Sequence, residues 1–434
     1  MVMNRLMIAM NGIEVGLWTK NSDGASQFQY ESTWLNHAKA RPISLSLPLS
    51  EKVYKGSVVY NFFDNLLPDN EQIRSRIQQR FHVATKHPFD LLSAIGHDCV
   101  GAIQLYPQGK RPYSVRKIDA VPLSETDIAT LLKNYQFSPL GMDNAQQDFR
   151  ISLAGAQEKT ALLYHNKQWC KPLNSTPTSH IMKLPIGIVG QGQLDLSDSC
   201  ENEWLCLQLL KAFGLPAANA EILHFSDCKV LSVERFDRRW AASGSWLVRL
   251  PQEDLCQALA IAPALKYEAD GGPSILSILA LLKGSTDSLD DRLHFFKAQI
   301  IFWLMAAIDG HAKNYSLFLE KDNRYRLTPF YDVISAFPLL KPQGLQRQKI
   351  KMAMAWHGKN KHYLWDKIQI RHFIETGRLA GLRQQLVEEI LHEVATDYQS
   401  AVEQCQQQLP KNFPPEIAEP ILEGAWQQGK RLNG

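Results

Sequence analysis

The 434-residue chain lacks the features that mark several large classes of protein. It has seven cysteines, an odd number, and no C-x-x-C pair, so neither a zinc site nor a disulfide framework is indicated. Scattered thiols of this kind are typical of a reducing compartment, and we expect a cytoplasmic protein. The formal net charge is only +3, which by itself argues for no particular partner.

Long apolar runs are also missing. The dense run "IIFWLMAAI" covers residues 300–308, whereas about 20 residues are needed to span a bilayer. Polar residues interrupt the apolar N-terminus, and Asn11-Gly12 between two apolar runs indicates a type I′ hairpin rather than a signal peptide. We therefore expect no membrane association.

The charges are unevenly distributed along the chain. Between residues 341 and 383, ten Lys or Arg stand against two acids, a local charge of +8 that leaves −5 on the remainder. A basic stretch inside a near-neutral protein is a candidate footprint for nucleic acid. The alternative is an ordinary solvated basic face.

The hydropathy pattern divides the chain into three segments, and its length is sufficient for two or three domains. Residues 1–110 are predicted to be β-rich with some helix. Residues 111–250 are predicted to contain a helix capped by Ser124, several strands and an amphipathic helix that starts near Ser199. From residue 251 to 434 the pattern is helical, with a long amphipathic helix near the end.

Polar residues crowd directly behind the apolar run. In "AIDGHAKNYSLFL", Asp309 and Asn314 have the D-x-x-x-x-N spacing of the protein-kinase catalytic loop, where the acid deprotonates the substrate hydroxyl and the amide holds magnesium. This spacing alone is a weak motif. Asp332 follows among apolar residues in "TPFYDVISAF", where an unpaired carboxylate would be costly and a metal ion would justify it. The stretch between them reads as a hairpin that turns at Asp322-Asn323.

Phosphoryl transfer also needs cations and backbone donors around the phosphates. Lys183 lies on a predicted strand that follows a loop of small residues, 154–159, and kinases place their loop and lysine in the same order. The loop sequence "AGAQEK" has one glycine, Gly155, and is not G-x-G-x-x-G. It could still let backbone N–H groups approach a phosphate.

Each of these residues also has an ordinary structural interpretation. Lys183 could be a surface lysine on a strand, and Asp309 could cap a helix end or a turn. Asp332 could pair with Arg326 or Lys313. Taken together, in kinase order and separated by the right elements, the residues favour a kinase-like phosphotransferase.

Longer segments resemble the HipA family of serine/threonine kinase toxins. They are "DFRISLAGAQEKTALL", "HIMKLP", "SVERFDRRW", "LPQEDLCQ", "DGHAKN" and "LTPFYD", with "RPISLSLPL" and "FFDNLLPD" nearer the N-terminus. The resemblance runs from about residue 10 to beyond residue 380. It implies an α+β protein with a two-lobed, protein-kinase-like fold: a β-rich N-terminal lobe and an all-helical C-terminal lobe. The kinase-like small lobe would occupy 111–250, and the catalytic loop would lie within 251–434.

The resemblance also implies the site and its cofactors, ATP and Mg²⁺. Asp309 would be the catalytic base, and Asn314 and Asp332 would hold the metal. Ser152 matches the serine that members of the family autophosphorylate to inactivate themselves. The implied nucleotide contacts are Ala154, Gly155, Ala156, Gln157, Glu158, Lys159, Lys183, Glu234, Arg235, Phe236, His311, Asn314 and Tyr331.

The partners of the family are a helix-turn-helix antitoxin, operator DNA and a protein substrate. Toxin, antitoxin and operator DNA form a ternary complex that represses the operon of the toxin and antitoxin. The substrates include aminoacyl-tRNA synthetases, notably the glutamyl enzyme, whose phosphorylation leads to growth arrest and persistence. Candidate DNA contacts in the basic stretch are Arg371 and Arg378. The alternatives are a degraded corepressor that acts only through antitoxin and DNA, and a metal-dependent phosphohydrolase using Asp309, His311 and Asp332, which leaves Lys183 unexplained.

Overall fold

A computed structural model describes residues 4–110, 112, 114–137, 153, 157, 159–190 and 194–432. The chain forms two compact units. The first, here called the strand-rich unit, comprises Met1–Leu184, Leu223–Ala264 and Ser316–Tyr325. The second, the helix-rich unit, comprises Pro185–Ile222, Leu265–Tyr315 and Arg326–Gly434.

The strand-rich unit opens with an antiparallel sheet in the order β4-β3-β2-β1-β5. Its elements are β1 (Asn4–Met10), β2 (Ile13–Lys20), β3 (Ser26–Tyr30), α1 (Ser32–Leu35), β4 (Tyr54–Lys55), α2 (Ser57–Asp64), α3 (Glu71–Phe81), α4 (Pro88–Ile95) and β5 (Ile103–Pro107). The predicted hairpin is confirmed, because Met10 pairs with Ile13 and both turn residues, Asn11 and Gly12, have positive φ angles of 47° and 79°. An aromatic core includes Trp18, which stacks on Phe63 with ring centroids 3.8 Å apart.

A second sheet has six strands in the order β12-β13-β9-β7-β8-β6. The elements from residue 111 to 250 are β6 (Ala120–Pro122), α5 (Glu125–Phe137), β7 (Lys159–His165), β8 (Gln168–Pro172), β9 (His180–Lys183), β10 (Gly187–Val189), β11 (Leu194–Leu196), α6 (Ser199–Ala212), β12 (Ala220–Phe225), β13 (Cys228–Glu234), β14 (Arg238–Trp240) and β15 (Leu247–Arg249). The Ser124 cap is confirmed, since its hydroxyl accepts the Asp127 N–H at 3.1 Å. Ile128 and Leu132 of α5 pack on Leu162 and Met182 of this sheet.

A buried ionic cluster connects the chain after α4 with arginines on and near β14 and β15 of the strand-rich unit. Asp98, after α4, accepts hydrogen bonds from the guanidinium groups of Arg249 (2.8 Å), Arg238 (2.9 Å) and Arg235 (3.4 Å). Burial alone would raise the pKa of the Asp98 carboxyl, but the three guanidinium groups together hold it well below its usual range. Asp237 is the second acid of the cluster and pairs with Arg235 and Arg238. A carboxylate shared by three buried cations is expected to be costly to remove.

Glu253 is a fully buried acid of the same unit, and its Oε1 accepts the Leu45 N–H at 2.8 Å. Burial raises the pKa of this carboxyl from its ordinary 4.5 to about 8, against hydrogen bonds from Ser44 and Leu45. Because the folded state therefore binds a proton more tightly than the unfolded state, the free energy of unfolding should fall as the pH rises from about 4.5 to 8. The slope should approach roughly 1.4 kcal/mol per pH unit.

Urea unfolding of wild type and Glu253→Gln between pH 5 and pH 8 measures this dependence. The amide keeps an oxygen for the Leu45 N–H but cannot ionise, so the variant should lose that part of the slope. If the two proteins show the same slope, Glu253 is not the titrating group.

The chain from residue 251 onward is largely helical, as predicted. Its elements are β16 (Gln252–Asp254), α7 (Leu255–Ala258), α8 (Ile275–Leu281), α9 (Ser288–Leu304), β17 (Ser316–Leu319), β18 (Tyr325–Leu327), β19 (Lys351–His357), β20 (Lys361–Leu364), α10 (Ile370–Leu379), α11 (Gln384–Gln407) and α12 (Pro415–Gly429). The α+β class is confirmed, but the expectation of an all-helical C-terminal lobe is corrected by strands β16 to β20. Hydrogen-bonded pairing with β17 holds β16, and β19 pairs with β20. In the described part of the chain, every helix is too short or too polar to cross a bilayer.

Candidate active site

The site in the helix-rich unit begins where α9 ends. Ile300, Trp303 and Leu304 are at most 1% exposed, so the last turn of this helix is fixed in the core. The chain then reverses at Ala306, which has a positive φ of 50°. The carbonyl of Ile308 accepts the N–H of Ala353 on β19 at 2.9 Å. The buried helix and the strand therefore fix the start of the next loop, residues 309–314.

Asp309 is the exposed residue of this loop. One of its carboxylate oxygens accepts a hydrogen bond from the Tyr267 hydroxyl at 2.7 Å, and its main-chain carbonyl accepts one from the His311 N–H at 2.8 Å. Gly310 lies between them because a Cβ there would come within 2.8 Å of the Phe302 ring and the Tyr315 hydroxyl. The acid is thus presented to solvent by a loop that tolerates little change. The alternative of a helix cap does not fit, because α9 ends at Leu304.

Asn314 and Asp332 meet in the same unit. The side-chain N–H of Asn314 donates to the main-chain carbonyl of Asp332 at 2.9 Å. The other side-chain atom, Oδ1 of Asn314, is buried and has no hydrogen-bond partner among the described residues, although the residue is only 4% exposed. Asp332 has a positive φ of 59°, in the left-handed region that Asp and Asn adopt more readily than most residues and that recurs at functional sites.

These two residues fit a magnesium ion that is shared with phosphates. Mg²⁺ prefers oxygen ligands and is usually held by one or two carboxylates together with substrate phosphates. The orphaned Oδ1 of Asn314 is an oxygen donor of this kind. Among the described residues, no group of three or more His, Cys, Asp or Glu side chains could hold a metal by itself.

Two further predicted nucleotide contacts flank this pair. His311 is 7% exposed, and burial lowers the pKa of its imidazole, with the nearby Asp309 carboxylate opposing that shift. Tyr331 precedes Asp332, and its hydroxyl donates to the Lys313 carbonyl at 2.9 Å. The structure therefore brings Asp309, His311 and Asn314 onto one short loop and fastens Tyr331 to it.

In the strand-rich unit, three other predicted contacts come together. Lys159, the first residue of β7, is the register partner of Lys183 on β9. Gln157 donates from its side chain to the Leu184 carbonyl at 2.6 Å. Lys183 is only 5% exposed, so its interpretation as a surface lysine is wrong. Two lysines side by side at the end of a strand pair are a suitable place for an anion.

The predicted segment 234–236 starts at the last residue of the neighbouring strand β13, Glu234. Glu234 is exposed, and Phe236 lies edge-on to Phe318 with ring centroids 5.9 Å apart. The Arg235 guanidinium is fully engaged with Asp237, Asp98, Thr178 and the Cys99 carbonyl. The main-chain N–H of Arg235 donates to the Ser179 carbonyl at 2.9 Å, and its carbonyl accepts the Arg238 N–H at 3.0 Å.

The remaining predicted residues divide into two groups. Ser152, Ala154, Gly155, Ala156 and Glu158 lie outside the described residues. The two candidate DNA contacts lie on α10. Arg371 is exposed, and Arg378, 67% exposed, is paired through two hydrogen bonds with Glu375.

Sequence reasoning missed Tyr267. It lies 42 residues before Asp309, in no recognisable motif, and only the folded chain brings its hydroxyl to that carboxylate. The ring of Tyr267 also meets His311 edge-on, with centroids 5.0 Å apart.

The mixed fold and the loop carrying an acid and an amide, followed by a second acid, define a phosphotransferase of the kinase class. Comparison with known proteins agrees. Residues 6–106 match the model of the HipA N-terminal domain, and residues 151–402 match the model of the HipA-like C-terminal domain. The chain therefore belongs to the HipA family and is a HipA-type serine/threonine kinase.

Two relatives and one solved structure illustrate the similarity. The Sinorhizobium fredii protein Y4mE, named as a proposed kinase, is 32% identical over 361 residues, 82% of this chain and 83% of the relative. The serine/threonine-protein kinase toxin HipA of Shewanella oneidensis is 27% identical over 308 residues, 68% of this chain and 66% of the relative. A solved complex of Shewanella oneidensis HipA with HipB and operator DNA has the same fold, with a TM-score of 0.80 at 22% identity, covering 98% of this chain and 97% of that one.

Proposed function

We propose that the chain is the toxin of a type II toxin–antitoxin module and phosphorylates a protein hydroxyl with Mg²⁺ and ATP. The observation that carries this proposal is the Asn314–Asp332 pair. Asn314, on the loop that presents Asp309 to solvent, donates to the Asp332 carbonyl, and its buried Oδ1 has no hydrogen-bond partner among the residues that the structure describes. A phosphohydrolase would leave the paired Lys159 and Lys183 without a role.

Each residue then has a defined task. Asp309 accepts the proton of the substrate hydroxyl. The hydroxyl oxygen attacks the γ-phosphorus of ATP, and the bond between the γ-phosphorus and the bridging oxygen of the β-phosphate breaks. Asn314 and Asp332 hold the metal, which when bound neutralises the charge that develops on the phosphate oxygens. Lys183 and the 154–159 loop bind the phosphates, and the 234–236 segment binds the base.

The proposal extends to regulation and partners. Autophosphorylation at Ser152 would place a dianion beside the phosphate loop and switch the enzyme off. The solved relative in complex with HipB and operator DNA supports a helix-turn-helix antitoxin and DNA as partners here. Exposed Arg371 is a suitable phosphate contact, whereas Arg378 would first have to leave Glu375. The protein substrate that we propose is glutamyl-tRNA synthetase.

A phosphoproteomic comparison of cells expressing wild type or Asp309→Asn without antitoxin tests the function. We expect growth arrest and new phosphosites with wild type only, among them a site in glutamyl-tRNA synthetase. No arrest by either protein, with no new phosphosite, would favour the corepressor. Phosphosites confined to other proteins would leave the kinase in place and replace the substrate.

Mass spectrometry of the purified protein after incubation with ATP tests the switch. Phosphate on Ser152, accompanied by loss of further phosphoryl transfer, is the expected result. Ser152→Ala should then stay active over the same incubation. Phosphate found only at other residues would contradict this assignment.

A further inference from the structure

Tyr267 and its neighbour Lys266 contact the loop 309–314 of the helix-rich unit. Its hydroxyl donates to a carboxylate oxygen of Asp309 at 2.7 Å. The carbonyl of the preceding residue, Lys266, accepts the Ala312 N–H at 3.2 Å. Its ring meets the His311 ring at 84°, with centroids 5.0 Å apart. The short Lys266–Tyr267 segment thus contacts three of the four residues 309–312.

The segment is itself firmly anchored. Glu268, directly after Tyr267, is 6% exposed, and its carboxylate accepts the Ala355 N–H at 2.7 Å and pairs with Lys361 at 2.8 Å. Ala355 lies on β19, the strand whose Ala353 N–H binds the Ile308 carbonyl. The Tyr267 phenol and the loop that it contacts are therefore both fixed to β19, which holds the two at a constant separation.

We infer that Tyr267 is a positioning residue for phosphoryl transfer. A carboxylate has two oxygens and rotates about its Cβ–Cγ bond. A fixed O–H donor on one oxygen selects a rotamer and leaves the other oxygen for the proton of the substrate hydroxyl. Asp309 is exposed and has solvent on its open side, so without this donor its carboxylate would sample several orientations. This inference depends on the proposed role of Asp309 as the base.

The test is Tyr267→Phe, which removes the hydroxyl and keeps the ring that packs on His311. The initial rate of ³²P incorporation into the protein from labelled ATP, measured against ATP concentration, gives kcat and the KM for ATP. We expect kcat to fall about ten- to a hundredfold, the effect of losing one hydrogen bond to a charged group. The KM for ATP, the Kd of a non-hydrolysable ATP analogue by calorimetry, and the melting temperature should stay unchanged.

Tyr398→Phe is the matched control. Tyr398 is a buried tyrosine of α11 in the same unit and packs on Trp426 with ring centroids 5.6 Å apart. This substitution also removes a tyrosine hydroxyl, but one that does not contact Asp309, so kcat should not change. A fall in kcat equal to that of Tyr267→Phe would show that hydroxyl loss acts through general stability.

The double variant Asp309→Asn, Tyr267→Phe shows whether Tyr267 acts through Asp309. Over long incubations it should label no more slowly than Asp309→Asn alone, because the phenol has nothing left to position. Multiplied losses would overturn the inference, as would an unchanged kcat in Tyr267→Phe or a rise in KM that matches the fall in kcat. If Asp309→Asn itself labels at the wild-type rate, the proposed function fails instead.

Discussion

Asp309→Asn is expected to lower the rate of phosphoryl transfer by on the order of 10²–10⁴-fold, the contribution of a general base. The amide keeps an oxygen for the Tyr267 hydroxyl, so the loop geometry should survive while the proton acceptor is lost. The Kd of an ATP analogue should change little, because Asn314 and Asp332 remain. Initial rates with labelled ATP, together with calorimetry of the analogue, separate these two effects.

Asp322→Asn serves as the control for this loss. Asp322 is exposed in the turn between β17 and β18 and has a positive φ of 59°, which Asn also accepts. The same change of chemistry there should leave the rate unaltered. A rate within a few fold of wild type for Asp309→Asn would mean that another group is the base.

Asp98→Asn is expected to lower the free energy of unfolding by about 3–5 kcal/mol, because it leaves buried guanidinium groups with one carboxylate in place of two. Asp98 is 4% exposed, and its two oxygens bind Arg235, Arg238 and Arg249. The amide can accept through one oxygen only, and its NH₂ group would face cations. Urea unfolding at neutral pH measures the loss.

Asp287→Asn provides the exposed comparison. Its carboxylate is 3.4 Å from Arg326, and both side chains are nearly half exposed. Solvent screens such a pair, so the change in stability should stay within about 0.5 kcal/mol. Equal losses in the two variants would show that burial of the Asp98 cluster contributes little.

The parts of the fold that local sequence determines were predictable. Two predicted turns, at Asn11-Gly12 and Asp322-Asn323, have the positive φ angles that Asn, Asp and Gly accept most readily. The position of the loop 309–314 was predictable for a related reason. The spacing of Asp309 and Asn314 is local, and the apolar run before them marks the buried helix end.

Features that depend on distant contacts could not be predicted in this way. Strand β19 has the sequence "KMAMAWH", whose Met and Ala residues favour helix, and its five central residues are all buried, so no alternation of apolar and polar residues marks it. The place of the Arg235 side chain in the buried ionic cluster is a second such feature. Its partner Asp98 lies 137 residues away, and no local pattern connects the two.

The ionic cluster at Asp98 has a consequence for chimeras made between members of the family. The two family models meet the chain at residues 6–106 and 151–402, which suggests exchangeable modules. Yet Asp98 comes from the first module and its three arginines from the second, and the Asn11 side chain exchanges two hydrogen bonds with the backbone of Arg249 across the same division. A chimera would join one acid to three cations only if both parents carry the full set. Where one parent lacks part of this set, positions 98, 235, 238 and 249 have to be exchanged together.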